Sequence, residues 1–107
     1  MVTYDDFKKL ELRIGEIVEA DIVAGSSNLM KIIVDIGAER RQIVAGIAKY
    51  YSASDLIGKQ IVVLINLEPK TIRGIESNGM LLAAVENEDN IALLTTEKRV
   101  APGSIVE

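Results

Sequence analysis

Residues 12–23 read LRIGEIVEADIV, with Leu12, Ile14, Val18, Ala20 and Ile22 on one parity and Arg13, Glu19 and Asp21 on the other. A period of two marks a strand with one buried face, whereas an amphipathic helix repeats its apolar residues at three and four. Gly15 inside so long a run predicts a bend or bulge, where a strand of a small barrel turns between sheets. After the turn residues AGSSN the alternation returns in LMKIIVDIG, with Met30, Ile32, Val34 and Ile36 on one face and Lys31 and Asp35 on the other. Gly37-Ala38-Glu39 makes a tight reversal, and RRQIVAGIA supplies a third strand that starts with Arg40 and Arg41. Three strands joined by short turns predict an antiparallel meander.

The pattern then breaks at YYSASDLIGKQ, where Ser52 with Asp55 resembles a capping box and Gly58 a C-terminal stop, so a helix of one or two turns is expected. IVVLINL, bounded by Pro69, reads as a buried strand. MLLAAVE and IALLTT read as further strands around the polar turn NEDN, and APGSIVE as an ordered or half-ordered tail. At the N-terminus Thr3 and Asp6 form a helix cap, and Tyr4, Phe7 and Leu10 are spaced to seat one turn on the body. Three strands, a short helix and two or three more strands is the order of an all-β OB-fold, a five-stranded Greek-key barrel with a short helix and extra C-terminal strands. An SH3-like barrel is the alternative. The 107 residues suffice for one domain, 1–107, with one core, and 49% apolar against 4% aromatic residues makes that core aliphatic.

Composition narrows the chemistry. The chain has no cysteine and no histidine, which removes disulfides, thiolate catalysis, serine triads and the usual zinc ligands, and argues against a small enzyme. The acidic residues lack the spacing of a calcium loop, and GIESNG is too short for a P-loop and has no lysine. No catalytic residue, cofactor or metal is expected. No apolar run approaches a membrane span, and MVTYDDFKKLEL is not a signal peptide; lack of cysteine suits a cytoplasmic protein.

The net charge is −4, which counts against a nucleic-acid binder. Its distribution is uneven. Residues 1–27 and 81–107 each carry −3, whereas residues 28–80 carry +2, from five acids and seven bases: Lys31, Arg40, Arg41, Lys49, Lys59, Lys70 and Arg73. Within this basic centre lies NLEPKTIRGIESNGM, residues 66–80. Its glycines allow close backbone approach, Lys70 and Arg73 bring cations, Ser77 and Asn78 bring hydrogen-bonding groups, and Met80 brings adaptable apolar surface. The same residues also suit a turn with solubilising charges and a core methionine. Tyr50 and Tyr51 fit core packing beside the helix, with stacking on a base as the alternative.

FKKLELRIGEIVEA, RQIVAGIAKYYSASDLIGKQIVVLINLEPKTIRGIESNGMLLAA and APGS, in this order, resemble the tRNA-binding domain family. That family includes the C-terminal domain or β subunit of methionyl-tRNA synthetases, free-standing dimeric tRNA-binding proteins, and domains like endothelial-monocyte-activating polypeptide. The resemblance implies an OB-fold that recognises tRNA by shape with weak affinity, as an accessory to the synthetase catalytic region. It also implies a homodimer formed through strands and the C-terminal extension outside the barrel. It places Ser77 and Met80 on the tRNA-contacting face, and Asn28 of the triplet SNL where a lysine is common. Arg73, Lys70, Lys31, Arg40 and Arg41 are placed at the border of that face, because OB-folds bind along strands two and three and the adjacent loops. Some relatives bind polypeptide, so a protein-binding OB module, chaperone-like or cytokine-like, is the alternative function.

Overall fold

The computed structural model describes residues 1–107. In chain order the elements are α1 (Tyr4–Phe7), β1 (Leu12–Ile22), β2 (Met30–Asp35), β3 (Arg40–Ala45), α2 (Ala53–Leu56), β4 (Gln60–Leu64), β5 (Lys70–Ile72), β6 (Ile75–Ser77), β7 (Met80–Leu81), β8 (Ala83–Asn87) and β9 (Asn90–Leu93). The main sheet has five antiparallel strands in the order β3-β2-β1-β4-β7. It curls into a nearly closed barrel consistent with the expected OB-like architecture, with α2 as the short helix. No helix is long and apolar enough to cross a membrane.

The barrel interior is aliphatic, as the composition requires. Ile17, Met30, Ile32, Val34, Ile36, Ile43, Ile47, Leu56, Ile61 and Val63 form one buried cluster. Burying each of the larger side chains stabilises the fold by about 1.5–3 kcal/mol. Leu56 enters this core from α2, whose N-cap Ser52 accepts the Asp55 N–H at 3.2 Å. Only half of the expected capping box forms there. The box at α1 is complete: Thr3 Oγ1 accepts the Asp6 N–H, and the Asp6 carboxylate accepts the Thr3 N–H. Tyr4, Phe7 and Leu10 nevertheless stay exposed, so α1 is not seated on the body by them.

The long strand departs from simple parity. Ile17 is fully buried in the barrel although it lies off the parity of Leu12 and Ile14, and Ile22, expected inside, is 62% exposed. The pairing of β1 with β2 shifts between Ile17 and Glu19. A one-residue bulge exchanges the two faces of a strand, so Ile17 points inward before it and Ala20 after it, whereas Ile22, on the parity of Ala20, lies at the strand's end where Val23 is the buried residue. Gly15 serves a different need from the bulge itself. A Cβ there would lie 2.2 Å from Val34 Cγ1, so only glycine lets β1 pass this close over β2.

Leu12 and Ile14 are buried outside the barrel. With Val62 and Leu64 they form a second cluster, covered by Leu82, Val100 and Val106. MLLAAVE is two strands because its pairing changes at Leu82, which packs on the outer core while Leu81 packs on the barrel core. The Leu82 N–H donates to Val62 C=O of β4, its C=O accepts the Leu94 N–H, and the chain beyond pairs with β9. The outer core also orders the tail, which lies antiparallel to β1 through Ile14 N–H to Ser104 C=O, 2.8 Å, and Val106 N–H to Leu12 C=O, 3.0 Å. Gln60, buried at the start of β4, clamps the tail. Its amide donates to Val100 C=O at 2.6 Å and accepts Val100 N–H at 3.1 Å.

Candidate nucleic-acid interface

The segment from Pro69 to Ser77 is a hairpin, where the sequence suggested a loop. β5 and β6 pair with Lys70 opposite Ser77, Thr71 opposite Glu76 and Ile72 opposite Ile75. Arg73 and Gly74 are the two turn residues, with φ of 49° and 77°. Both residues of such a turn have positive φ because its twist matches that of the flanking strands. Gly74 takes that conformation freely, whereas an arginine rarely does.

This hairpin arm lies along the free edge of β3. Asn78 N–H donates to Gln42 C=O at 2.8 Å, Gln42 Nε2 donates to Glu76 C=O at 2.8 Å, and Val44 N–H donates to Ser77 Oγ at 3.0 Å. Lys31 of β2 is the partner of Val44, Val44 meets Ser77, and Ser77 is the partner of Lys70. Lys31 and Lys70 therefore stand at the ends of one row that crosses β2, β3, β6 and β5. Strand spacing puts them roughly 14 Å apart. At the arm's tip Arg73 approaches Gly25, in the loop that joins β1 to β2: a Cβ on Gly25 would be 3.9 Å from an Arg73 guanidinium nitrogen. The two loops that OB-folds use for ligands, between strands one and two and between the last two barrel strands, thus converge beside the outer faces of β2 and β3.

The cations on this face are available. Lys31, Lys70, Arg73 and Arg40 form none of the molecule's ion pairs. Lys31 faces Asp21 across β1–β2, and Arg40 faces Asp35 across β2–β3, so the local field is mixed rather than strongly positive. Arg40 sits at the end of β3 away from Val44 and is apart from the arm row.

Three predicted contact residues are committed elsewhere. Ser77 is 5% exposed, and its hydroxyl accepts from Val44 and donates to Gly79 C=O at 3.4 Å. It lies at the seam where the arm meets β3. Arg41 places its guanidinium at the roots of the arm, on Ile65 C=O, Asn78 C=O and Glu39. Asn28 donates to Gly46 C=O at 3.1 Å and accepts the Lys49 N–H at 3.0 Å. That asparagine braces the β1–β2 loop against the segment after β3, a bivalent amide task that a lysine cannot perform. Tyr50 and Tyr51 are likewise committed to packing. Tyr50 donates its hydroxyl to Glu88 C=O at 2.5 Å and Tyr51 accepts the Leu93 N–H at 3.1 Å, which fastens the β8–β9 ribbon to the barrel.

Met80 is 44% exposed. It lines an apolar groove of about 310 Å³ with Val44, Ala45, Ile47, Leu81 and Val85. The groove meets the Lys31–Lys70 row at Val44, in the middle of that row. Gly79, with φ 137°, turns the chain so that Met80 lies outside, and a Cβ there would stand 3.0 Å from Leu64 C=O. Gln42, Gln60 and Asn66, which bond Glu76, Val100 and Lys9, carry no local signal, because those partners lie far away along the chain.

Comparison with known proteins follows this geometry. Residues 12–105 match the family described as "Putative tRNA binding domain". The chain is 52% identical over 103 residues to a methionine–tRNA ligase of Caldanaerobacter subterraneus, covering 96% of this chain and 16% of that protein. It spans about one sixth of the length of the curated relatives it matches, 15–16% in each. Among solved structures, a MetRS related protein from Pyrococcus horikoshii superposes with a TM-score of 0.92 at 36% identity, covering 100% of this chain and 98% of that one. A chaperone CsaA from Bacillus anthracis superposes with a TM-score of 0.91 at 30% identity, covering 100% and 99%.

Proposed function

Because the chain belongs to the putative tRNA-binding domain family, we propose that it is a non-catalytic accessory module that binds tRNA for a methionine–tRNA ligase in the cytoplasm. One observation carries this reading: the β5–β6 arm presents Arg73 and Lys70, free of ion pairs, beside the outer faces of β2 and β3. Structured RNA is recognised by shape through backbone and 2′-hydroxyl contacts. Two walls that carry separate cations fit a curved backbone better than they fit a base sequence. Arg73, Lys70 and Lys31 are the proposed phosphate contacts, Arg40 an outlying one, and Met80 an apolar contact for a sugar or base. Ser77, Arg41 and Asn28 shape the face.

With so few cations on an acidic chain, affinity is weak and salt-sensitive. Weak binding is useful beside a second RNA site, where tethering sets a high effective concentration. The synthetase catalytic region supplies such a site in this proposal. A second copy supplies another: tail residue Ile105, with Tyr4, Phe7 and Leu10, leaves an exposed apolar face outside the barrel that suits homodimerisation.

Titration with tRNA, duplex DNA and an unfolded peptide over a series of salt concentrations tests the reading. The expected outcome is a preference for tRNA, with log K falling against log salt at a slope of about −3, as for three or four phosphate contacts. Equal affinity for duplex DNA at low salt sinks it. The apolar groove at Met80 favours one other reading, a module that holds polypeptide. The word chaperone in the name of the Bacillus anthracis relative adds to it. Peptide binding tighter than tRNA binding in the same titration decides for that alternative.

A further inference from the structure

We propose that Arg41 is the positioning residue of the hairpin arm: it sets the angle at which Arg73 and Lys70 are presented, and touches no RNA itself. The proposal rests on the reading of the arm as an RNA contact. Its basis is the arrangement at the arm's two roots. The chain leaves the barrel at Ile65 and returns at Asn78, and one nitrogen, Arg41 Nη1, donates to both carbonyls, at 2.9 Å and 3.3 Å. No other side chain is bonded to both roots. The rest of the guanidinium is held from the opposite side, where Glu39 Oε1 accepts from Nε at 3.1 Å and from Nη2 at 2.9 Å.

The side chain of Arg41 is 21% exposed, and its three nitrogens are all in use. A planar fork of fixed donors suits this task, and an ammonium on a flexible stem does not. Of the other links, those from Gln42, Val44 and Asn78 fasten β6 to β3, and Asn66 ties the β5 root to the N-terminal segment, donating to Lys9 C=O and accepting the Glu11 N–H. A two-stranded ribbon of three-residue strands has little stability of its own, so its pose depends on these root contacts. Without Arg41 the two roots lose the one side chain that joins them, and the pose of the ladder above them is held only by Asn66 on one side and the β6 attachment on the other. The tip with Arg73 then swings about the β6 attachment.

The test uses Arg41→Met and Arg41→Lys in the full chain, with two measurements. The first is tRNA affinity across a salt series, and the second is amide hydrogen exchange. A positioning role predicts that both variants weaken tRNA binding about ten-fold, some 1.4 kcal/mol, and change the salt slope alike, whether or not the charge is kept. It also predicts faster exchange at residues 66–78 with barrel amides unaffected. Arg41→Lys keeps the charge and the greater part of the packing, so it serves if Arg41→Met does not fold. Wild-type affinity in Arg41→Lys overturns the proposal. So does a slope lower in magnitude by about one in Arg41→Met but not in Arg41→Lys, the signature of a direct phosphate contact. Unchanged exchange in the arm overturns it as well, and needs no RNA. Failure of the wild-type chain to bind tRNA would instead remove the reading of the arm, and is seen in the same titration.

Discussion

Ser77→Ala is expected to lower the thermal midpoint by roughly 5–15 °C, whereas Met80→Ala shifts it by less than about 3 °C. The two residues stand three apart in one short segment and look equally suited to a ligand. Their environments differ. Ser77 is buried, and its oxygen is the partner of the Val44 N–H at the seam where the arm meets β3. Alanine leaves that backbone donor without a partner in a place water does not easily reach, at a cost of about 1–3 kcal/mol. For a domain of this size each kcal/mol moves the midpoint by about 4–8 °C. Met80 is half in solvent and lines an open groove, so its truncation removes little buried area. Thermal melts followed by circular dichroism measure both. Should Ser77→Ala melt within about 2 °C of wild type while losing tRNA affinity, the hydroxyl belongs to the ligand face after all.

That contrast shows where the sequence stops being informative. A hydroxyl beside glycines reads the same whether it faces a ligand or a seam, because its partner, Val44, lies 33 residues away. Local signals were legible wherever a strand was regular. Met30, Ile32, Val34 and Ile36 are buried on one face as their alternation requires, and Thr3 caps α1 as its spacing to Asp6 requires. Ile17 was illegible because a bulge changes which parity faces inward, and no residue type announces the bulge. The arm was hidden by its own turn. Ile72 and Ile75 flank a two-residue connection, a hairpin signal, but Arg73 occupies a left-handed position that usually calls for asparagine, aspartate or glycine. For Arg41 and Asn28, charge and position in the chain suggested contact with a ligand. Arg41 instead bonds the Ile65 and Asn78 carbonyls, which barrel closure brings to it, and Asn28 bonds Gly46 and Lys49, which the pairing of β2 with β3 brings to it.

Ile105→Asp is expected to turn the proposed dimer into a monomer while leaving the chain folded. The tail residue lies between two that are tied to β1, Ser104 through its carbonyl and Val106 through its N–H. In an antiparallel ladder the residue between two such bonds directs its own N–H and C=O to the other side, so Ile105 offers an open strand edge. Its side chain is 66% exposed and lies beside Tyr4, Phe7 and Leu10, which α1 holds out in solvent. An exposed edge flanked by apolar side chains is a liability in a lone chain and an advantage in a pair. A carboxylate at 105 meets water in the monomer, with a stability change within about 0.5 kcal/mol. In a dimer that pairs through this edge the same carboxylate is buried and costs several kcal/mol, the penalty for an unpaired buried charge. Light scattering behind size-exclusion reads the mass directly, and Phe7→Asp on the same face is expected to match it. Loss of the second copy also removes one of two tethered RNA sites, so tRNA affinity falls by about a hundred-fold, the low end expected when bivalent binding is lost. A wild-type chain that is monomeric at high micromolar concentration, or an Ile105→Asp variant that stays dimeric, places the pairing surface elsewhere or removes it.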